Sequence, residues 1–168
     1  MSIWICGVPR SGKTTFCKTL AQQNRVTIIS TEALRNGFQK MDAENFIAWG
    51  MGKSEKRQKD FPVFLFEFVK WNEFFSRQEC IVDCALIELE KVYKFANTED
   101  KIICFGFGGK SVIDILAFIR KREKSDDYTK NLSDEKLLKI WGDVSKIDNE
   151  NLVFCKEHNI KYIDCTTV

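Results

Sequence analysis

Gly7-Val8-Pro9-Arg10-Ser11-Gly12-Lys13-Thr14 decides the reading of this chain, because it is a complete G-x-x-x-x-G-K-T. The octapeptide follows the apolar run Ile3 to Cys6, which reads as a strand, and opens a helical pattern from Lys13 to Gln23. That strand–loop–helix context is what the spacing requires. Glycines let the backbone wrap closely, so successive N–H groups and the helix N-terminus point at phosphate oxygens. Lys13 can reach the β- and γ-phosphates of a nucleoside triphosphate, and the Thr14 hydroxyl can ligate Mg2+. Thr15, next along the first helical turn, completes the expected nucleotide-binding set.

Two other stretches end in the same way, Gly52-Lys53-Ser54 and Gly109-Lys110-Ser111. Five residues before each glycine stand Ile47 and Cys104 rather than a second glycine, so neither can fold back around a phosphate. Gly106, Gly108 and Gly109 read instead as a turn leaving a strand. Lys53 belongs to the charged run Lys53 to Asp60. That run reads as a solvated loop, with phosphate steering by Lys53, Lys56 or Arg57 as the alternative.

Outward from the loop, short apolar runs alternate with longer helical patterns. Val26 to Ser30, Cys80 to Asp83, Ile102 to Phe107 and Lys161 to Asp164 read as further strands. Each is continuously apolar rather than alternating, the pattern of strands buried on both faces. Helices are expected over Phe61 to Arg77, over Leu86 to Ala96, and along the stripe Val112, Ile115, Leu116 and Ile119. A last helix is capped by Ser133, carries Asp134 and Glu135 in its first turn, and has Leu137, Leu138, Ile140 and Trp141 as its apolar side. This alternation predicts an α/β fold, a three-layer α/β/α sandwich around a five-stranded, mostly parallel sheet. A single domain over 1–168 is expected, with ligands at the carboxyl ends of the strands. The aromatics Phe61, Phe64, Phe66, Phe68, Trp71, Phe74 and Phe75 read as the core side of a long buried helix. The alternative is an aromatic wall for a base or sugar.

The 168 residues carry a formal net charge of +2 and are 44% hydrophobic, enough to bury a full core without staples. That near-neutral balance argues against nucleic acid as a partner. Seven cysteines, at 6, 17, 80, 84, 104, 155 and 165, accompany one histidine, His158, and include no C-x-x-C pair. The odd count argues against a disulfide framework, and the spacing against a zinc site. Free thiols suit a reducing cytoplasm. The start MSIWICGVPR lacks the basic region of a signal peptide. The stretch Phe61 to Phe75 is broken by Glu67, Lys70, Asn72 and Glu73, and falls short of the ~20 apolar residues of a membrane helix. Oligomeric state leaves no mark in the sequence.

A phosphate-holding loop also serves switches and motors. The Asn-Lys-x-Asp motif of GTPases is missing, as are the length and later motifs of motor and AAA proteins. In the order of its motifs the chain resembles the small P-loop kinases: nucleoside monophosphate kinases such as adenylate kinase, gluconate kinases, the kinase half of polynucleotide kinases, and zeta-type toxins. The resemblance implies a P-loop NTPase fold and further site residues. Ser30-Thr31-Glu32-Ala33-Leu34-Arg35 looks like the S-x-D-x-x-R that follows strand two in hydroxyl-phosphorylating members, with Glu32 where aspartate is usual. Glu32 would then take the proton of the attacking hydroxyl and Arg35 would clamp the acceptor. The alternative is that Thr31 and Glu32 cap a helix and Arg35 sits in solvent. Ile81-Val82-Asp83 is similar to the hydrophobic strand ending in Asp beside the phosphate loop. Asp83 would there hold Mg2+ through a water, the alternative being a helix N-cap. The basic run from Arg120 to Lys124 stands where those kinases carry an arginine-bearing lid, here about 118–131. Arg120 is preferred over Arg122 as the phosphoryl-side cation, and a charged helix end is the alternative.

The expected activity is therefore ATP- and Mg2+-dependent transfer of a γ-phosphoryl group to a small-molecule hydroxyl or a nucleoside monophosphate. The alternative is a nucleotide-binding regulator or partner-binding module without turnover.

Overall fold

A computed structural model describes residues 1–41, 55–85, 87–122 and 128–167. In chain order the described elements are β1 (Ile3–Gly7), α1 (Lys13–Asn24), β2 (Thr27–Ser30), α2 (Thr31–Met41), α3 (Glu55–Ser76), β3 (Cys80–Asp83), α4 (Leu89–Phe95), β4 (Lys101–Gly106), α5 (Val112–Arg122), a short 3-10 turn (Tyr128–Asn131), α6 (Asp134–Glu157) and β5 (Lys161–Asp164). The strand order β2-β3-β1-β4-β5 makes a five-stranded sheet. Its β1–β3, β2–β3 and β4–β5 ladders are parallel. This is the α/β architecture that continuous apolar runs between helices predict. Among the described residues no helix is long and apolar enough to cross a membrane.

The chain forms two compact units, one of residues 1–6 and 13–102, the other of residues 7–12 and 103–168. In the first, β3 is buried along its whole length and β1 at Trp4, Ile5 and Cys6. Parallel pairing sets Ile5 opposite Asp83, and Ser30 opposite the same residue from the other side. Asp83 therefore ends a strand flanked on both edges. Helix α1 packs on β2 and β3, burying Lys13 and Cys17.

Helix α3 departs from the sequence reading in two ways. Residues 55–60, expected as a charged loop, form its first turns; Glu, Lys, Arg and Gln are good helix formers, so charge alone did not separate loop from helix. Lys53 lies outside the described residues. The aromatic run, in turn, is not all core. Phe61, Leu65 and Val69 are buried at a spacing of four, and Phe66 meets Trp4 at a tilt and stacks on Phe95. Phe64, Phe68, Trp71, Phe74 and Phe75 are 37–76% exposed. Aromatics at so many positions run right round a helix, and one helix cannot bury every side.

In the second unit, the core gathers Val8, Phe107, Ile115, Ile119, Leu137, Trp141, Val144 and Cys165. Ser133 caps α6 as expected, its hydroxyl accepting the Lys136 N–H at 3.4 Å. Leu137, Trp141, Val144 and Asp148 form the buried stripe, whereas Leu138 and Ile140 are each 41% exposed. The two were expected on the apolar side, but they fall off a stripe that runs at three- and four-residue steps.

Candidate phosphate and metal site

The loop conformation follows from a few backbone requirements. Gly7 has φ +118°, and a Cβ there would lie 1.9 Å from the Phe105 carbonyl oxygen, so only glycine lets the loop rest on β4. Arg10 (φ +63°) and Gly12 (φ +87°) also take left-handed conformations, which turn the backbone back on itself. Within this unit the Val8 N–H donates to the Phe105 carbonyl at 3.1 Å. The Ser11 hydroxyl closes the turn by donating to the Val8 carbonyl at 2.8 Å. Val8 is sunk in the core, while Pro9 and Gly12 are exposed.

Lys13 and Thr14 open α1, whose first turn carries no acidic side chain. The positive end of its dipole is thus left for an anion. Lys13 is buried although charged. One turn later, burial pushes the Cys17 thiol up to about 12, with the Asp83 charge adding and the Lys13 charge opposing. Both charges therefore act on the same buried spot. The Thr14 hydroxyl donates to Asp83 Oδ2 at 2.7 Å. Asp83 is 4% exposed, and its Oδ1 is buried without a hydrogen-bond partner.

A half-satisfied buried carboxylate is costly unless something else completes it. Beside a hydroxyl that still has lone pairs to offer, it presents two hard oxygens. That donor set fits Mg2+, which accepts one or two protein oxygens and takes the rest from phosphates and water. Among the described residues no group of three or more His, Cys, Asp or Glu side chains is placed to hold a metal.

On α2, the Ser30 hydroxyl accepts the Ala33 N–H at 3.2 Å and so acts as N-cap. Glu32 and Arg35 lie on one face, 3.6 Å apart as an ion pair, and Arg35 also donates to Asn36 Oδ1. The two acceptor-side candidates are therefore brought together, and Glu32 stays open to solvent. A cavity of about 490 Å3 runs beside them, lined by β2 from Thr27 to Ser30, by Ala33, Leu34 and Gly37, and by Phe68 and Asn72 of α3.

Of the two lid candidates, Arg120 is already engaged. Its guanidinium donates to the Thr129 and Leu132 carbonyls and pairs with Asp134 at 2.7 Å. Arg122 lies over the Phe118 ring at 4.2 Å. The expected lid falls partly outside the described residues, at 123–127.

Two buried polar residues do what the sequence does not predict: Thr31, read there only as a possible helix cap, and Asp148, not singled out at all. Thr31 is fully buried; its hydroxyl donates to the Asp83 carbonyl and accepts the Ala85 N–H, both at 3.0 Å. Asp148 is 1% exposed. It accepts from the Phe107 N–H at 3.0 Å, the Gly109 N–H at 3.4 Å and the Tyr162 hydroxyl at 2.7 Å. Tyr162 in turn accepts the Gly108 N–H; burial, then Asp148, pushes its phenol well above the usual range. A Cβ on Gly106 would strike both groups. A carboxylate falling on the apolar stripe of α6, at Trp141 plus seven, was the available signal.

No protein-family profile matches this sequence, and no curated protein matches it either. Solved structures do match its fold. A shikimate kinase from Bacteroides thetaiotaomicron superposes with a TM-score of 0.56 at 15% identity, over 97% of this chain and 85% of the other. A gluconokinase from Sinorhizobium meliloti 1021 gives 0.53 at 18% identity, over 85% and 73%. Both are small P-loop kinases, and the fold is theirs.

Proposed function

We propose that this protein is an ATP- and Mg2+-dependent phosphotransferase that moves a γ-phosphoryl group to a small-molecule hydroxyl or a nucleoside monophosphate. The observation that carries the reading is Asp83, a buried carboxylate bonded by Thr14 on one oxygen and left open on the other. It lies on the same compact unit as the first turn of a helix opened by G-x-x-x-x-G-K-T. The backbone from Gly7 to Thr15 and the Lys13 ammonium hold the triphosphate. Thr14 and Asp83 are the metal-side oxygens; a Mg2+ ion held there supplies charge neutralisation on the phosphates.

With an alcohol acceptor, the hydroxyl oxygen bonds to the γ-phosphorus as the bond to the bridging oxygen breaks, and ADP leaves. Glu32 takes the released proton. Arg35 holds the acceptor, which the cavity beside β2 and α2 accommodates. With a nucleoside monophosphate no base is needed, and Arg35 carries more of the binding. Arg120 and Arg122 supply guanidinium charge to the transferring phosphoryl; Arg120 must release Asp134 to do so. Seven buried thiols suit a reducing, cytoplasmic setting.

The test is a screen with γ-labelled ATP and Mg2+ against sugar acids, polyols and nucleoside monophosphates. Label transfer to one class is expected, with Lys13→Ala lowering it at least about a hundredfold. Transfer that survives Lys13→Ala, or no binding of any nucleoside triphosphate with Mg2+, overturns the reading. Binding without transfer favours a nucleotide-dependent regulator instead.

A further inference from the structure

Serine or threonine at the start of a helix ordinarily bonds back to the helix's own N–H groups. At the start of α2 two hydroxyls stand in succession, and only the first does this. Ser30 takes the Ala33 N–H. Thr31, fully buried, reaches away to the segment leaving β3, donating to the Asp83 carbonyl and accepting the Ala85 N–H. The intervening Cys84 N–H donates to the Ile5 carbonyl of β1 at 2.9 Å. The backbone from Asp83 to Ala85 is thus tied on both sides just where the sheet ladder ends. The direction of the Asp83 side chain depends on that backbone.

We propose that Thr31 is a positioning residue: its hydroxyl sets the Asp83 carboxylate for the metal and fixes the same turn to the helix bearing Glu32 and Arg35. The inference rests on the metal role of Asp83 and goes beyond it. Removing the hydroxyl takes a partner from the buried Asp83 carbonyl and from the part-buried Ala85 N–H. The turn then relaxes to satisfy them and carries Asp83 out of alignment with Thr14. Losses of such outer partners typically weaken metal binding about 10–100-fold.

The test compares the affinity of a fluorescent ATP analogue in Mg2+ with that in EDTA, for wild type and the series Thr31→Ser, Thr31→Cys and Thr31→Val. Serine keeps donor and acceptor, cysteine weakens both, and valine keeps the shape and removes both. The Mg2+-dependent gain should hold in Thr31→Ser, fall in Thr31→Cys, and drop about tenfold or more in Thr31→Val. Affinity in EDTA should stay within about twofold throughout, since the phosphate loop is untouched. Should the valine variant fail to fold by circular dichroism, serine against cysteine decides. A full Mg2+ gain in a folded Thr31→Val, or an equal loss in Thr31→Ser, overturns the positioning role while leaving Asp83 as a metal residue. A wild type that binds the analogue with no Mg2+ gain overturns both.

Discussion

Asp83 and Asp148 are buried carboxylates of the two units, and they are treated in opposite ways. Asp148 is fully enclosed by donors: two backbone N–H groups and a tyrosine hydroxyl occupy both of its oxygens. Asp83 has one donor, Thr14, on one oxygen, and nothing on the other. Burial penalises each charge alike, so the difference lies in what completes it. Asp148 is completed by the chain itself and holds the Phe107–Gly109 turn. Asp83 awaits something from outside, and a carboxylate completed by a ligand is one the fold can lose without unravelling.

Substitutions at the two sites should separate these roles. Asp148→Ala strands the Phe107 and Gly109 N–H groups and should cost about 4 kcal/mol of stability, the largest effect expected. Urea denaturation measures it; a loss under about 1 kcal/mol would erase the contrast. Asp83→Asn keeps an acceptor for Thr14 and should shift stability by less than about 1 kcal/mol. It should instead weaken ATP binding in Mg2+ at least about tenfold, or about 1.4 kcal/mol, and leave binding in EDTA unchanged. An Asp83→Asn protein that unfolds readily and binds Mg2+·ATP normally would exchange the two roles.

The same contrast explains what could be read in advance. The phosphate loop was legible because its chemistry demands a contiguous string, with glycines where the backbone turns and lysine where the helix starts. The strands were legible because burial on both faces leaves continuous apolar runs, and all five start and end within a residue of the expected bounds. Asp83 could be found from its place at the end of such a run. Thr31 and Asp148 could not be assigned partners, since theirs lie 52 to 54 and 14 to 41 positions away. Nothing local distinguishes a threonine that staples from one that caps. The exposed side of α3 was hidden for a different reason: hydrophobicity says that a residue prefers burial, not that the fold has room for it.

Two cysteines give the smallest and finest probe of the comparison. Burial first, then a neighbouring carboxylate, raises Cys17 and Cys165 from 9.0 to about 12. Asp83 is the carboxylate acting on Cys17, while Asp164 and then Asp148 act on Cys165. Because the folded pKa lies above the unfolded one, the folded state holds these protons longer. The stabilisation they add is complete below pH 9.0 and is lost as pH climbs from there toward about 12. Thermal stability should therefore change little up to pH 9.0 from this source and decline above it. Alkylation followed by mass spectrometry resolves the two thiols separately. Asp83→Asn should move the onset of Cys17 alkylation to lower pH and leave Cys165 where it was, because charge repulsion is relieved at one thiol only. If both shift together, the variant has loosened the fold, and Asp83 belongs with Asp148 among the residues that hold it.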